Sequence, residues 1–215
     1  MRHTLQRDGI GIIKGTAVCA LILGASIASA QVVYQWDSGV FGERFNNSEG
    51  TETEDNWVAN AFEVVDGGTE LLSIDYVLGE NFTARPVTAV IYQGVDISDP
   101  SAGLTRIQTT DTTISGLRGA IVTITLDTPV DLNVGDVFYA ALLIPGVTGD
   151  LFPFNNDTVS PQGHSFFDVG PKQGAPYDLD MTANATVNGG THPVVGPLVQ
   201  HPGNTALRVN ATATP

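Results

Sequence analysis

Apolar and polar residues alternate along much of the chain beyond residue 55. A β-strand points successive side chains to opposite faces, so an alternation of two predicts a strand with one buried and one solvated face. Runs with this alternation occur at residues 70–79, 86–94, 120–128 and 205–211. Residues 56–65 are rich in strand-forming residues and predict a further strand. No segment shows a convincing helical period.

Three runs also predict how deeply their strands are buried. Residues 120–128 set apolar side chains against threonines, which indicates a half-buried strand with a threonine face toward water. Residues 136–144 are apolar on both faces, which predicts a central strand covered on both sides. In residues 70–79, the residues expected on the core face are Leu72, Ile74, Tyr76 and Leu78.

Segments rich in Gly, Pro, Asn and Asp separate these runs, at residues 66–69, 98–103, 133–136 and 145–150. Such segments are typical of hairpins and Greek-key connections. We therefore predict an all-β fold, a two-sheet antiparallel β-sandwich and specifically a jelly roll. Two long loops are expected at residues 145–162 and 182–204, and long loops are where function is usually found.

The first thirty residues have the pattern of a signal peptide. A basic segment is followed by an uncharged run at residues 15–28 and by the small residues Ala28-Ser29-Ala30. We expect cleavage between Ala30 and Gln31, followed by one domain over residues 31–215. The protein is then secreted, to the periplasm or beyond, without membrane insertion. The alternatives are an uncleaved anchor and a lipoprotein modified at Cys19.

Removal of residues 1–30 leaves six basic and 22 acidic residues, a formal charge of −16 on 185 residues. This charge argues against nucleic acid and anionic membranes as partners, since both require positive protein surfaces. Cleavage also removes Cys19, the one cysteine. The domain must then be stabilised by its core or by a bound metal rather than by disulfides.

Several motifs resemble a β-sandwich module that recurs in secreted bacterial proteins. They are an early strand with Trp57 and Phe62, a turn and strand at residues 130–139, a Ser-Phe-Phe strand at 165–167, and a late strand at 206–209. In that group the module is usually non-catalytic. The resemblance therefore implies an accessory, adhesion or carbohydrate-binding role on a jelly-roll-like sandwich.

Residues 163–180 read GHSFFDVGPKQGAPYDLD and concentrate side chains with functional chemistry. The alternation on both sides of a Gly/Pro turn predicts two strands near one end of the sandwich. Phe166 and Phe167 should point to opposite faces, which leaves one of them for the core and the other for the core or a sugar platform. His164 has no local nucleophile or orienting partner, so we assign it no catalytic role.

Aromatic side chains near loops are the candidates for ligand binding, because sugars stack on aromatic faces. Residues 150–157 read DLFPFNND and carry two phenylalanines in a segment without a strand pattern. The alternative is a loop that closes the end of the sandwich. The predicted ligand-binding residues are Trp57, Phe152, Phe154 and Tyr177, and Trp36 and Tyr92 are further aromatics near loops.

Carboxylates crowd residues 49–55, and Glu52, Glu54 and Asp55 are candidate calcium ligands there. Calcium takes six to eight oxygen ligands, often from loops, although no EF-hand spacing is present. The alternative is a solvated acidic loop, and residues 96–100 and 155–157 are comparable donors. His192 and His201 have no compact zinc spacing and are expected to be surface residues.

The sequence thus favours a secreted, non-enzymatic β-sandwich with a surface, matrix or adhesion role. One alternative is a soluble carbohydrate-binding module, stabilised by calcium. A third is a glycan-active hydrolase, for which the fold alone is no argument. The expected partners are an extracellular polysaccharide or a cell-envelope protein.

Overall fold

The structure is a computed structural model of the chain of 215 residues. It describes residues 31–41, 43–45, 54–146, 154–157, 162–172, 179–180, 186–187, 190–191, 195–197 and 203–213. The predicted signal peptide lies outside the described residues.

Strands dominate the described residues. They are β1 (Val32–Tyr34), β2 (Glu43–Phe45), β3 (Glu54–Glu63), β4 (Glu70–Val77), β5 (Phe82–Gly94), β6 (Leu104–Gly116), β7 (Ile121–Asp131), β8 (Val137–Ile144), β9 (Phe154–Asp157), β10 (Ser165–Lys172), β11 (Thr186–Val187), β12 (Gly190–Thr191), β13 (Val195–Pro197), β14 (Asn204–Thr205) and β15 (Leu207–Thr212). A short 3₁₀ helix covers Pro100–Ala102.

Two antiparallel sheets form the body of the protein. Sheet 1 has the order β1-β15-β4-β7, and sheet 2 has the order β13-β10-β3-β8-β5-β6. Among the eight strands that remain when β10 and β13 are set aside, the chain changes sheets at each step except at the β5–β6 hairpin. This interleaving is that of a jelly roll. The predicted all-β sandwich is confirmed.

Strand β8 lies at the centre of sheet 2 and confirms the expectation from its sequence. It pairs with β3 on one side and β5 on the other. All of its residues except Val137 are buried. The two faces of β8 pack against two different hydrophobic cores, so both faces must carry apolar side chains.

Strand β4 confirms the predicted strand but corrects its core face at one residue. Against β15, Ser73 pairs with Asn210 and Leu71 pairs with Ala211, which leaves Leu72 as the extra residue of a β-bulge. Leu71 is therefore 0% exposed, whereas Leu72 is half-buried. Beyond the bulge, Ile74 and the alternate residues after it face the core as predicted.

The sandwich has two hydrophobic cores. The larger core lies between the sheets and includes Phe62, Ile74, Phe138 and Leu207. A second core packs on the other face of sheet 2, and its members include Trp57, Tyr92, Tyr139, Leu143 and Phe166. Burying one such large side chain stabilises the fold by roughly 1.5–3 kcal/mol.

The predicted pair of strands in residues 163–180 is half correct. Strand β10 forms as expected, but it pairs with β3 and β13. Leu179 and Asp180 form a turn, not a strand, and lie against sheet 2. The Tyr92 hydroxyl donates to the Leu179 carbonyl at 2.7 Å, and Arg106 pairs with Asp180 at 2.8 Å.

Candidate functional site

A groove of about 500 Å³ opens beside β1 and the end of β3. Its lining includes Val33, Gln35, Trp36, Glu63, Val65 and Ile97. The two valines are 45% and 48% exposed, and the Gln35 amide and Glu63 carboxylate belong to exposed residues. The groove therefore joins an apolar surface to hydrogen-bonding groups that are open to solvent.

The Trp36 ring forms part of the groove and is held at several points. It stacks on Phe62 with ring centroids 5.6 Å apart and planes 11° apart. Its indole Nε1 donates to the Ala61 carbonyl at 2.7 Å. The His164 ring lies 4.9 Å away, and its Nδ1 is 3.3 Å from the Ile97 carbonyl oxygen. The ring is thus partly exposed but fixed in orientation.

A buried ion pair anchors the chain next to Trp36. The Asp37 side chain is fully buried, and Arg208 of β15 bonds to both of its carboxylate oxygens. The Arg208 Nε atom lies 2.9 Å from Asp37 Oδ2. The hydrogen bond to Asp37 raises the pKa of Arg208 above its usual value. Asp37 also accepts a bond of 3.0 Å from the Gly39 N–H, which closes the turn after Trp36.

Two further hydrogen bonds attach residues 36–38 to strands β14 and β9. The Asn204 amide donates to the Trp36 carbonyl at 2.8 Å. The Ser38 N–H donates to Asp157, which is 0% exposed. The backbone on both sides of the Trp36 ring is therefore fixed before any ligand arrives, which reduces the entropy lost on binding.

Tyr34 supports the opposite wall of the groove. Its hydroxyl donates to the Gly68 carbonyl at 2.9 Å and accepts from the Val65 N–H at 3.0 Å. Burial raises the pKa of Tyr34. A Cβ at Gly68 would lie 2.4 Å from the Tyr34 hydroxyl oxygen, so glycine is required there for this close approach.

A second groove of about 490 Å³ differs in composition. It is lined by Thr69, Asp131, Leu132, Asn133 and Val134. No aromatic ring belongs to this lining within the part of the chain that the structure describes. The groove at Trp36 is therefore the better candidate for stacking interactions, and the second groove is a natural control.

Two of the predicted ligand-binding aromatics, Trp57 and Phe154, do not line this groove. Trp57 and Phe154 are both 0% exposed. Trp57 packs near Tyr92, with ring centroids 6.1 Å apart, and Phe154 packs near Tyr76 at 6.2 Å. A sugar platform needs a ring face open to solvent, and these two rings do not offer one. Phe152 and Tyr177 lie outside the described residues.

The predicted calcium ligands are only partly described. Glu52 lies outside the described residues, and only the backbone of Glu54 is described. The Asp55 carboxylate accepts a bond of 2.9 Å from the Gly146 N–H. Burial raises the pKa of Asp55, although the Gly146 N–H and the charge of Arg85 act in the opposite direction. Because the positive charge of Arg85 already acts on the Asp55 carboxylate, this carboxylate is a poor ligand for a cation.

Among the described residues, no group of three or more His, Cys, Asp or Glu side chains is arranged to hold a metal. His192 and His201 lie outside the described residues. In the part of the chain that is described, no helix is long and apolar enough to cross a membrane.

Comparison with known proteins identifies the fold alone. No family model and no curated protein matches the chain. One similar solved structure is a variant of the clostridial cysteine protease Cwp84 after propeptide cleavage, with a TM-score of 0.51 and 12% identity. Another contains the cysteine protease and lectin-like domains of Cwp84, a surface-layer-associated protein of Clostridium difficile, with a TM-score of 0.50 and 10% identity.

The similarity covers 86% of this chain but only 40% and 36% of the two neighbours. The protein therefore spans less than half the length of either structure. At these sequence identities, the similarity supports a β-sandwich fold of the same general kind and carries no evidence about function.

Proposed function

We propose that the protein is a secreted, non-catalytic β-sandwich domain with a surface, matrix or adhesion role. The observation that carries this proposal is the prearranged groove at Trp36. Its aromatic ring, exposed valines, amide and carboxylate lie together on a rigid scaffold. Such a mixture of apolar surface with a few polar groups is typical of recognition sites.

The fold neighbours agree with a role at the cell surface. One neighbour, Cwp84, is a surface-layer-associated protein. The acidic composition of the chain is compatible with an extracellular medium. We propose a cell-envelope protein or an extracellular polysaccharide as the partner, and export through the N-terminal segment.

A binding assay with matched charge variants tests this proposal. The purified protein is sedimented with a cell-envelope fraction, and the bound fraction is measured. Glu63→Gln and Gln35→Ala should each weaken binding at least fivefold, since both residues are exposed in the groove. Asp131→Asn removes the same charge from the second groove and should leave binding unchanged. Equal binding by all variants would place the interaction elsewhere.

A soluble carbohydrate-binding module is the second candidate function. It is favoured by one observation, the partly exposed Trp36 ring beside the Gln35 amide and Glu63 carboxylate. Sugars stack on such rings and bond to neighbouring polar groups. A panel of purified polysaccharides, screened with calcium and again with EDTA, tests this candidate. It predicts saturable binding to one class of glycan. The Trp36→Ala variant should abolish that binding.

We also propose that the protein is not an enzyme, and a separate experiment tests this. Incubation of the protein with the same polysaccharides should release no reducing sugar above background. Release that depends on the protein, and that disappears on replacement of one acidic residue, would identify a hydrolase.

A further inference from the structure

Strand β1 lies at one edge of sheet 1 and lines the groove at Trp36. Among the strands that the structure describes, β1 pairs with β15 alone. An edge strand presents backbone N–H and C=O groups on its free side, and these groups can pair with a further extended chain. The groove at Trp36 therefore lies beside a backbone edge that can accept another strand.

The hydrogen-bond pattern shows which residue of β1 faces away from β15. The Val77 N–H donates to the Ala206 carbonyl at 3.0 Å, so this carbonyl points toward β4. Successive residues of a strand direct their backbone groups to opposite sides, so Val209 directs its groups toward β1. Tyr34 is the register partner of Val209, and the two form a hydrogen-bonded pair. The next residue along β1, Val33, therefore points its N–H and C=O away from β15.

The end of β3 supplies a second free edge in the same groove. The Ala61 N–H donates to the His164 carbonyl at 2.9 Å, which directs the backbone of Ala61 away from β8. Glu63, two residues further, directs its backbone groups the same way. Strand β10 begins opposite Asn60 and runs away from Glu63, so it does not cover this edge. Both Val33 and Glu63 line the groove, so it contains backbone groups from two strands.

The side chains of the groove suit a peptide with apolar and basic residues. Val33 and Val65 are 45% and 48% exposed, and the partly exposed Trp36 ring adds a further apolar surface. Among the described residues that line the groove, Glu63 is the charged one and none is basic. The whole chain has a formal charge of −14. A basic residue opposite Glu63 is therefore favoured by charge complementarity.

The edge strand of sheet 2 differs from β1. Strand β6 carries Arg106 and Asp111, and its register shifts between its pairs with Ile91 and Tyr92. Charges and bulges are devices that keep an edge strand from pairing with another chain. Val32–Tyr34 contain no charge and pair with β15 without a register shift. Because β1 has three residues, side-chain contacts must add to its backbone bonds.

We propose that an extended, basic polypeptide segment of a cell-envelope protein adds to the free edge of β1 as a further strand. Its backbone bonds to the N–H and C=O of Val33. Its apolar residues contact Val65 and Trp36, and a basic residue lies opposite Glu63. Strand addition of this kind obtains affinity from main-chain bonds and specificity from alternate side chains. Because the proposed function makes this groove the recognition site, this proposal rests on it and selects a protein rather than a polysaccharide as the partner.

Synthetic peptides test the strand pairing directly. The probe is a fluorescently labelled octapeptide that alternates valine with lysine or threonine, and anisotropy measures its binding to the purified protein. N-methylation removes the N–H donors of alternate residues, so the set that faces β1 should weaken binding at least tenfold more than the other set. Replacing lysine by glutamate should weaken binding at least fivefold. Binding that is absent, or equal for all four peptides, would overturn the proposal.

Two proline variants place the peptide at β1. Val33→Pro removes one outward N–H, which an edge strand tolerates, and should weaken peptide binding at least tenfold. Ile121→Pro is the matched control, because Ile121 begins β7 at the opposite edge of sheet 1 and is also exposed. The Leu78 N–H donates to the Ala120 carbonyl at 3.0 Å, so the next N–H, that of Ile121, points away from β4. Ile121→Pro should bind the peptide as the native protein does, and native affinity in Val33→Pro would overturn the proposal.

Amide NMR of the native protein gives the same information if Val33→Pro fails to fold. The backbone amide signals of Val33 and Glu63 should shift as the octapeptide is added, and the signal of Ile121 should not. Saturable peptide binding without a shift at Val33 would overturn the proposal.

The envelope fraction separates this proposal from the proposed function. Before the sedimentation assay, one portion of the fraction is digested with protease, and another is oxidised with periodate, which destroys glycans. A polypeptide partner predicts that protease abolishes binding, that periodate leaves it unchanged, and that Val33→Pro binds at least fivefold more weakly. Binding that survives protease but not periodate would overturn the strand proposal and leave recognition in the groove intact. Failure of the native protein to bind the untreated fraction would instead contradict the proposed function, and the peptide titrations would then decide the strand pairing by themselves.

Discussion

The two tryptophans of the chain lie in contrasting environments. Trp57 occupies the second core and is 0% exposed. Its register partners on the neighbouring strands are Leu143 and Asp168. Trp36 lies in the loop after β1, is partly exposed, and forms part of a groove. One indole ring is part of a hydrophobic core, and the other is the ring that we propose for recognition.

The contrast shows that an aromatic residue near a predicted loop is not thereby exposed. In the sequence, Trp57 directly follows an acidic segment. In the fold, its strand β3 lies between β8 and β10, which cover it. Trp36 owes its position to side chains such as Asp37 and Asn204, which bond across the fold. Packing between distant segments therefore decides which ring a ligand can reach.

Replacing the buried tryptophan should have the largest effect on stability. Trp57→Ala is expected to lower the free energy of unfolding by about 3–5 kcal/mol, because it opens a cavity in the second core. Urea denaturation followed by circular dichroism measures this change. If the free energy of unfolding fell by less than about 1 kcal/mol, the second core would contribute little to stability, and the two tryptophans would not differ as described.

Breaking the buried ion pair should come next. Asp37→Ala leaves Arg208 without its carboxylate and should cost about 3 kcal/mol. Asp111→Ala is the control, because Asp111 bonds to Thr88 on an exposed face and should change stability by no more than about 0.5 kcal/mol. The same urea titration measures both variants. Similar losses in the two would contradict the anchoring role of Asp37.

Removing the groove tryptophan should affect binding more than stability. Trp36→Ala loses the stacking contact with Phe62 and the bond to Ala61, which together contribute about 1–2 kcal/mol. Binding to the envelope fraction should fall at least tenfold. A loss of stability as large as that of Trp57→Ala would place Trp36 in the core and contradict the comparison.

The groove wall offers a smaller test. Tyr34→Phe removes the hydroxyl that bridges Val65 and Gly68, and it should cost about 1 kcal/mol. Phe62 and Phe138 still pack against the ring, so the core is preserved. Thermal denaturation detects the change as a lower Tm. An unchanged Tm would show that the wall does not depend on this bridge.

The smallest effect concerns pH and the carboxylate of Asp55. Its pKa is raised in the folded state, so the folded protein binds more protons than the unfolded chain at pH values between the two pKa values. Stability should therefore fall as the pH rises through that acidic window, by at most about 1.4 kcal/mol per pH unit. Asp55→Asn should flatten this dependence. An unchanged pH profile would exclude Asp55 as its source.

Local patterns were sufficient for the strands that alternate or are fully apolar. Residues 121–128 fall in β7, with Ile124 and Leu126 buried and Thr123 and Thr125 exposed, as expected. Strand β6 escaped the sequence analysis, because LTRIQTTDTTISG has few apolar residues and lies at a sheet edge. An edge strand needs less burial, so it has a weaker hydrophobic signal.

The candidate site was much less predictable, because its contacts join distant positions. Asp37 and Arg208 are 171 residues apart in sequence, and Trp36 and Ala61 are 25 apart. The short run VVYQWD at residues 32–37 was the available signal, with an aromatic directly after a brief apolar segment. It did not separate Trp36 from the other aromatics near loops.

The measurement that tests the central claim most directly is fluorescence quenching of Trp36. In a Trp57→Phe variant, Trp36 is the remaining tryptophan. Acrylamide quenching is measured before and after saturation with the polysaccharide or envelope component that the binding assays identify. We predict that bound ligand lowers the quenching constant at least twofold, because it covers the groove. Saturable binding with unchanged quenching would contradict the claim that this groove is the recognition site.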